Sequence, residues 1–452
     1  MKIISPANET VMQMLKNFTK PGEQYRMLKY TVHREIKDGI LLFNLFTREL
    51  VLLTKEEFES ATQNTYLREN WFVVPEKCDE KAYVDLVKFY LKTKKKNFEE
   101  ITGYTIFTTT DCNARCFYCF ELGRSRIPMS QETALKTAKY IKDHCNGKKV
   151  SLRWFGGEPL MNVDAIDTIC DYLAAEGIEY KSSMVSNGYL VNDEIVSKAV
   201  NSWNLKNIQI TLDGTEAVYN KVKAFVYKDT NAYQIVIKNV EHLVNSGVLV
   251  SIRLNMDLHN ADDLLTLVKE LAERFGGSKN LSVYAHHLFK DNVPMAEQHT
   301  GEEWDLRVVA MKRIEKILEQ HGLANKRGIS TKLKITHCMA DSGKSITVLP
   351  DGHIGLCEHH SDDEFIGHLD QEEFDQAQVK AFSETTPEVP ECNDCFYYTD
   401  CIMLRKCSNS CICYPQHRDS KLRNVQASMV NQYNKWLDNI IEEEFDEDAH
   451  EE

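Results

Sequence analysis

Long apolar runs are missing from this 452-residue sequence. No stretch approaches the roughly 18 uninterrupted apolar residues that a transmembrane helix needs, so we expect no membrane partner and no membrane-spanning segment. The apolar stretch that follows Met1 is also too short for a secretory signal peptide. Together these absences predict a cytoplasmic protein, in which cysteines stay reduced.

An excess of positive charge is missing as well. The formal net charge is −14, and residues 442–452 alone carry eight acidic side chains and no Lys or Arg. Because a nucleic-acid partner needs a basic face to contact phosphates, this composition disfavours nucleic acid as a substrate. The acidic block itself is typical of a solvated, frayed tail.

Cysteine, in contrast, is abundant, with 14 residues. In a cytoplasmic chain this number indicates metal binding rather than disulfides. Three cysteines cluster within residues 112–119, and eight lie within residues 338–413. Cys145 and Cys170 fall in helical patterns and are interpreted as small buried apolar residues.

Hydrophobic periodicity in the first 97 residues predicts a small sheet with a few helices. The β-like runs are residues 27–32, 40–45 and 50–53, and the helical patterns are residues 56–68 and 80–92. The turn Lys37-Asp38-Gly39 between two apolar runs predicts a hairpin. This region is therefore predicted to be able to fold as its own module.

From residue 104 onward, strands alternate with helices. The predicted strands are residues 104–110, 150–154, 182–186, 208–212, 249–255 and 281–286, and the predicted helices are residues 130–144, 163–176, 193–202, 232–246 and 261–275. Two more helices are predicted at residues 304–321 and 424–441. Six strands with five intervening helices predict an α/β fold, a parallel sheet curved into a partial (β/α)6 TIM-like barrel. In such folds the functional residues gather at the C-terminal ends of the strands.

Three cysteines, Cys112, Cys116 and Cys119, directly follow the first of these strands. Three thiolates leave one site of a four-iron cube without a protein ligand, whereas an electron-carrying cluster usually takes four cysteines. A zinc site is the alternative, but no fourth ligand with suitable spacing lies nearby. The loop resembles the signature of the radical S-adenosylmethionine (SAM) superfamily, including an aromatic residue, Tyr118, before the third cysteine. The resemblance implies a [4Fe–4S] cluster that cleaves SAM to a 5′-deoxyadenosyl radical, with Tyr118 near the cofactor.

Further motifs of that superfamily follow the later strands in order. They are Phe-Gly-Gly-Glu-Pro at residues 155–159, Ser-Asn-Gly at 186–188, and an Arg and an Asn that share one face of the fifth strand. The resemblance implies that these motifs bind SAM through Gly156, Gly157, Glu158, Pro159, Ser186, Asn187, Arg253 and Asn255. Here Glu158 would receive the SAM amino group, and the guanidinium fork of Arg253 suits the SAM carboxylate. Asp213 belongs to a Thr-Leu-Asp-Gly segment similar to one that lines the active site of peptide-modifying members, which makes it a candidate catalytic residue.

The C-terminal cysteines resemble the SPASM domain, an extension of radical SAM enzymes that carries two further clusters. The opening pattern of that domain is matched by Cys338, Gly352 and Cys357. The resemblance implies two auxiliary [4Fe–4S] clusters, for three in total, held by Cys338, Cys357, Cys392, Cys395, Cys401, Cys407, Cys411 and Cys413. The spacing of the last six cysteines fits two registers, so the assignment of each thiolate to a cluster stays open, and structural zinc is the alternative. Glu358 could accept a proton near the substrate.

The resulting domain prediction has four parts. Residues 1–97 form a winged-helix-like module, residues 98–325 the radical SAM core, residues 326–423 the SPASM domain, and residues 424–452 a helix with the acidic tail. Residues 30–57 resemble the N-terminal part of radical SAM maturases of ribosomal peptides, which implies recognition of the leader of a precursor peptide. A structural cap is the rival interpretation of this module.

The resemblance implies a peptide maturase that forms a thioether crosslink. A carbon–carbon crosslink and the oxidation of a sulfatase residue to formylglycine are the alternatives within the superfamily. The implied partners are the precursor peptide and an electron donor such as ferredoxin or flavodoxin. Two rivals from other classes are an iron–sulfur electron carrier without SAM chemistry and a zinc-stapled interaction protein.

Overall fold

The computed structural model describes most of the chain. The described residues are 1–16, 24–94, 98–121, 123–288, 301–324, 327–336, 338–359, 364–383, 390–401 and 415–448. Cys407, Cys411 and Cys413 lie outside these ranges, so their roles as cluster ligands stay predictions.

The first region folds around a four-stranded antiparallel sheet. Its elements are β1 (Lys2–Ser5), α1 (Glu9–Leu15), β2 (Tyr25–Met27), β3 (Thr31–Ile36), β4 (Gly39–Asn44), β5 (Leu50–Leu53), α2 (Lys55–Glu59), α3 (Thr65–Glu69), β6 (Val73–Pro75) and α4 (Glu80–Thr93). The strand order is β1-β5-β4-β3, and β2 pairs separately with β6. The predicted hairpin is confirmed, because β3 and β4 pair antiparallel from Ile36 and Gly39 outward.

Two predictions in this region are wrong. The single helix predicted at residues 56–68 is divided into α2 and α3, because Asn64 starts a new helix by accepting a hydrogen bond from the Leu67 amide at 3.1 Å. Asn and Asp side chains compete in this way with a continuous helix. The strand predicted at residues 27–32 is divided by a turn, in which the Thr31 hydroxyl donates to the Leu28 carbonyl at 2.7 Å.

The second region is a parallel sheet. Its elements are β7 (Gly103–Thr109), α5 (Gln131–His144), β8 (Val150–Gly156), α6 (Val163–Ala175), β9 (Tyr180–Ser186), α7 (Asp193–Asn201), β10 (Leu205–Leu212), α8 (Glu216–Lys223), α9 (Ala232–Asn245), β11 (Leu249–Met256), α10 (Ala261–Phe275) and β12 (Leu281–His287). All six predicted strands and all five predicted helices are confirmed, and α8 is an addition. Neighbouring strands follow chain order from β7 to β12. Right-handed crossovers that always step in one direction keep the helices on one face and curve the sheet.

The remaining elements attach to both of these regions. They are α11 (Gly301–Gln320), β13 (Ser345–Val348), β14 (His353–Gly355), β15 (Gly367–His368), α12 (Gln376–Ser383) and α13 (Pro415–Asp448). β13 pairs parallel with β7, and β14 and β15 follow antiparallel, so the sheet has nine strands in the order β12-β11-β10-β9-β8-β7-β13-β14-β15. The final helix is longer than predicted and extends into the acidic block.

Buried polar side chains mark one edge of the parallel sheet. Because the apolar strand interiors pack against the helices, polar groups that escape solvent are unusual and need partners. They lie at or just after the carboxyl ends of β7 to β11, and they are Thr108, Thr109, Glu158, Ser186, Asp213 and Asn255. This is the edge at which the motif residues were predicted to meet.

The N-terminal region does not bury its apolar face by itself. One cluster of buried side chains joins Tyr30 and Leu41 to Tyr398 and to Met429 of α13. The guanidinium of Arg48, only 2% exposed, donates to the Asp400 carboxylate from the far end of the chain. A fragment of residues 1–97 would therefore expose a large apolar surface, and the domain boundaries stay predictions.

We expect Met429→Ala to lower the free energy of unfolding by about 2–5 kcal/mol, because Met429 is fully buried and its loss leaves a cavity. Asn434→Ala on the exposed side of the same helix is the matched control and should have little effect. Urea unfolding followed by tryptophan fluorescence measures both. Equal stabilities of the two variants would contradict a shared core.

Candidate functional site

The three-cysteine loop is held between the ends of β7 and β8. The Gly157 amide donates to the Thr109 carbonyl at 3.0 Å, and the Glu158 amide donates to the Asp111 carbonyl at 2.9 Å. Within the loop, the Asp111 carboxylate accepts from the Cys112 amide at 2.8 Å. These contacts place the predicted ligand loop directly against the Phe-Gly-Gly-Glu-Pro motif.

Both glycines of that motif are required by close packing. A Cβ on Gly156 would lie 2.1 Å from the Thr109 carbonyl oxygen, and a Cβ on Gly157 would lie 2.2 Å from that of Asp111. Gly156 also has φ +117°, a conformation that side chains rarely adopt. The glycines therefore let β8 approach the backbone of the cysteine loop.

The thiols of the loop are partly buried and unpaired with one another. Burial, reinforced by the Glu158 carboxylate, raises the pKa of Cys112 to about 12, and the Ala114 amide opposes this by donating to Sγ at 3.4 Å. Burial also raises the pKa of Cys119. Buried thiols of this kind become thiolates when a cationic metal group binds them.

The residues around the loop fit an iron–sulfur cluster. Near the cysteines, both carboxylate oxygens of Glu121 and the Nδ2 of Asn113 are buried without a hydrogen-bond partner. Within the described ranges, no three His, Cys, Asp or Glu side chains are spaced to hold a single metal ion. A cube differs from an ion, because each thiolate binds a separate iron atom. Three thiols beside the partnerless Asn113 donor thus suit a cluster, because the sulfur atoms of a cluster accept hydrogen bonds.

Glu158 joins two of the predicted SAM motifs. Its carboxylate is fully buried, and it accepts hydrogen bonds from the Leu160 amide at 3.1 Å, the Ser186 hydroxyl at 2.8 Å and the Asn187 amide at 2.7 Å. Asn187 also donates to the Asn113 side chain at 2.6 Å. These three donors hold the carboxylate in place, and its predicted contact with the SAM amino group stays a prediction.

The titration of Glu158 predicts a pH dependence of the free energy of unfolding. Burial raises its pKa to about 7 from an ordinary value of 4.5, against the opposing donors of Asn187, Ser186 and Leu160. Between these two values the folded chain holds a proton that the unfolded chain has released. The free energy of unfolding therefore falls as pH rises through this window, by about 3 kcal/mol in total.

We expect Glu158→Gln, which cannot titrate, to lack this part of the pH dependence. The measurement is the difference in unfolding free energy between the wild type and Glu158→Gln, determined by urea titration at about pH 5.5 and about pH 8. The free energy of unfolding of the wild type, relative to that of the variant, should be lower at the higher pH. A difference that does not change with pH would contradict the prediction.

Tyr118 and Asp213 contact each other and the buried side chain of Lys223. The Tyr118 hydroxyl lies 2.8 and 2.9 Å from the two Asp213 oxygens, and Lys223 Nζ lies 3.0 Å from Asp213 Oδ2 and 2.9 Å from the Tyr118 hydroxyl. Burial lowers the pKa of Lys223, but the Asp213 carboxylate and Tyr118 outweigh it and hold that pKa well above its ordinary value. Asp213 is 1% exposed and ion-paired with Lys223, and its predicted catalytic role stays a prediction.

Lys223 was missed because α8 was not predicted and because a helical lysine is normally solvated. A weak signal was present in the sequence. Tyr219 and Lys223 are four residues apart, which places them on the same face of a helix, and Tyr219 is fully buried. The burial itself depends on how α8 packs against the cysteine loop.

Arg253 offers a cation at the same edge of the sheet. Its Nε donates to the Asn255 side-chain oxygen at 2.9 Å, and its Nη2 lies 3.1 Å from His286 Nδ1. Burial, together with the Arg253 charge, lowers the pKa of His286 to about 4, which keeps the imidazole neutral near pH 7. Since both of these contacts are with neutral groups, the guanidinium suits an anionic ligand such as a carboxylate.

The C-terminal segment approaches the loop from the side of β13. The His359 ring packs on Phe120 with centroids 4.4 Å apart, which brings the neighbouring Cys357 and Glu358 towards the three-cysteine loop. Glu358 is half-buried. Gly352 forms the turn between β13 and β14 with φ +94°, which explains the glycine of the predicted SPASM opening.

Of the cysteines predicted to hold auxiliary clusters, the structure describes Cys338, Cys357, Cys392, Cys395 and Cys401. Burial lowers the pKa of Lys334, and among the groups that oppose this are Cys338 and Cys401, so the two thiols lie near one ammonium group.

Membrane-spanning helices are absent from the described part of the chain, since no helix there combines the length and the apolar character that crossing a membrane requires.

Sequence comparison identifies the central region. Residues 106–271 match the profile of the radical SAM superfamily. The radical SAM cyclopropyl synthase TigE of Paramaledivibacter caminithermalis is 26% identical over 164 residues, 30% of this chain and 34% of that protein. A probable GTP 3′,8-cyclase of Archaeoglobus fulgidus is 32% identical over 119 residues, 26% of this chain and 37% of that protein. The match thus spans about a third of the length of these curated relatives.

Structural comparison extends the likeness beyond that region. The structure of native anSMEcpe with bound AdoMet and Cp18Cys peptide has a TM-score of 0.52 at 15% identity, covering 74% of this chain and 99% of that one. Streptococcus suis SuiB bound to its precursor peptide SuiA has a TM-score of 0.50 at 14% identity, covering 84% and 95%. At these identities the likeness is one of fold. The profile match, with the motif residues at one sheet edge, leads to one conclusion: residues 106–271 of this chain form a radical SAM domain.

Proposed function

We propose that this chain is a radical SAM enzyme that modifies a peptide. The observation that carries the proposal is the convergence, at one sheet edge, of three unpaired cysteines with the Glu158–Ser186–Asn187 network and the Arg253 guanidinium. The chemistry that a bound [4Fe–4S] cluster and SAM supply is one-electron cleavage of SAM to methionine and a 5′-deoxyadenosyl radical that takes a hydrogen atom from carbon.

Different residues of this chain would bind the cluster and SAM. Cys112, Cys116 and Cys119 would hold three corners of the cluster, which leaves the fourth for SAM. Arg253, whose contacts at this edge are neutral, would bind the SAM carboxylate. Glu158 acts through its neighbours, because its hydrogen bonds hold the Ser186–Asn187 turn against the loop.

A peptide is the substrate class that the fold supports best. Two of the solved structures of similar fold are complexes with peptides, anSMEcpe with Cp18Cys and SuiB with SuiA. The extra N-terminal sheet also leaves β3 at its edge, where an extended leader could add as a further strand. One outward carbonyl of that edge, that of His33, already accepts from Gln426 of α13 at 2.9 Å. We therefore place leader binding on the remainder of β3.

A thioether crosslink is the proposed product, with a carbon–carbon crosslink as the nearest alternative and formylglycine formation as a further one. The C-terminal cysteines would hold two auxiliary [4Fe–4S] clusters, and Glu358, next to Cys357, would accept a proton near the substrate. An external one-electron donor such as ferredoxin or flavodoxin would supply the electron. Structural zinc at the C-terminal cysteines is the rival assignment, which metal analysis of anaerobically purified protein decides.

Anaerobic coexpression with a short cysteine-containing peptide encoded beside this chain tests the function. The expected product is lighter than the precursor by two hydrogen atoms per crosslink, and its cysteine no longer reacts with alkylating reagents. The matched control is coexpression with Cys112→Ala, which should leave the peptide unchanged. An unmodified peptide, together with 5′-deoxyadenosine release from other substrates, would overturn the peptide assignment but not the radical chemistry.

A further inference from the structure

Lys223 is a buried cation at the centre of the site. Its side chain is 4% exposed and that of its partner Asp213 is 2% exposed, with 3.0 Å between Nζ and Oδ2. Burying a charged pair is unfavourable unless its geometry and hydrogen bonds compensate for desolvation. Such a pair therefore calls for an explanation in terms of what lies next to it.

The cysteine loop lies directly on this pair. The Arg115 amide donates to the Lys223 carbonyl at 2.8 Å, and the Val226 amide donates to the Asn113 carbonyl at 2.9 Å, so the end of α8 is attached to the loop by its backbone. Tyr118, between the second and third cysteines, accepts from Lys223 and donates to Asp213 through one hydroxyl. The ammonium group also lies 5.6 Å from the centre of the Tyr118 ring.

The charge of Lys223 acts on the cysteines as well as on Asp213. Lys223 Nζ lies 2.9 Å from the hydroxyl of Tyr118, the residue next to Cys119, and at low local dielectric a charge beside the loop acts on it much more strongly than in water. A bound cluster gains negative charge when it accepts an electron. A nearby permanent cation favours the reduced form, and the net charge around a cluster is one of the factors that set its potential.

We propose that Lys223 is a positioning residue that holds a permanent positive charge against the three-cysteine loop and so raises the reduction potential of the cluster bound there. The inference rests on the proposed cluster but not on the peptide substrate. One electron from an external low-potential donor enters the cluster, and Lys223 gains and loses nothing. Asp213 opposes Lys223 electrostatically and anchors it, while the Tyr118 hydroxyl ties both to the loop.

The effect of substitutions distinguishes a purely structural role of the Lys223–Asp213 pair from a role in setting the reduction potential. Removing either partner of a structural pair destabilises the loop in the same way. If charge sets the potential, Lys223→Met and Asp213→Asn must shift it in opposite directions, because the first removes a positive charge and the second a negative one. The sign of the shift therefore separates the two roles.

The experiment is a potentiometric titration of anaerobically reconstituted full-length protein, followed by electron paramagnetic resonance. Only the part of the signal that changes when SAM is added is analysed, since that part reports the cluster on the three-cysteine loop. We expect a more negative midpoint potential for Lys223→Met, a less negative one for Asp213→Asn, and an intermediate one for the double variant. Lys223→Arg should restore a potential close to that of the wild type.

Unchanged potentials, or shifts of the same sign in both single variants, would overturn the proposal. If Lys223→Met alone does not bind iron, Asp213→Asn and the charge-balanced double variant still decide the sign. Failure of the proposed function has a different signature. In that case the wild type itself shows no signal that responds to SAM, whereas peptide modification is not required for any of these measurements.

Discussion

Replacing Cys112, Cys116 or Cys119 with Ala is expected to reduce the release of 5′-deoxyadenosine by the reduced, reconstituted protein to background. Each thiolate holds one iron atom of the proposed cube. Removing one thiolate leaves a second iron without a protein ligand, so the cluster should be lost. The measurement is chromatography of the nucleoside after reduction with dithionite in the presence of SAM. Iron bound by the C-terminal cysteines should remain, so total iron should fall only in part.

Cys145→Ala is the matched control for this experiment. Cys145 is 2% exposed and directly follows α5, away from the loop, so its loss removes a buried sulfur without touching the proposed ligands. This variant should release 5′-deoxyadenosine as the wild type does. Activity that survives in all three loop variants would refute the radical SAM mechanism for this chain.

Gly157→Ala is expected to lower 5′-deoxyadenosine release by about a hundredfold, the effect of misplacing reacting groups by about 1 Å. The new methyl group would lie 2.2 Å from the Asp111 carbonyl oxygen and 2.6 Å from its carbon, so the loop and β8 must separate. Both neighbours are backbone atoms, which cannot rotate away as a flexible side chain does. The overpacking should also lower stability by about 1–3 kcal/mol.

Gly355→Ala on β14 separates this steric effect from a general intolerance of glycine substitution. Neither Gly157 nor Gly355 has a left-handed backbone, but a Cβ on Gly355 would meet its nearest neighbour, the Cys357 carbonyl oxygen, only at 3.8 Å. We expect near-wild-type activity and iron content for this control. If Gly157→Ala were as active as Gly355→Ala, the close approach of loop and strand would have no functional importance.

The parallel sheet could be predicted from the sequence because its signals are local. Strands such as β10 are short apolar runs with a fixed period, and the helices between them carry their own caps. Ser130, for instance, caps α5, since its hydroxyl accepts from the Thr133 amide at 3.0 Å. The helix predicted across Asn64 was wrong for a related reason, because a capping side chain in mid-pattern started a second helix.

The packing of the chain ends could not be predicted in the same way. Periodicity identifies the apolar face of a strand or helix but not the surface that covers it. Residues 1–97 were therefore predicted to be able to fold as their own module, and only the structure shows that their apolar cluster also includes Tyr398 and Met429, more than 300 residues away. The pairing of β13 with β7 has the same character, since it joins distant segments through backbone hydrogen bonds.

The sequence by itself determined the order of strands and helices, the three-cysteine loop after the first strand and the motifs after later strands, because spacing and periodicity are properties of neighbouring residues. Only the tertiary structure decided what those side chains touch. It surrounded Glu158 with protein donors, paired Asp213 with a lysine that no motif marks, and brought His359 onto Phe120. The physical reason is that burial and charge pairing depend on contacts between segments far apart in the chain, where the cost of an unpaired buried charge selects the partner.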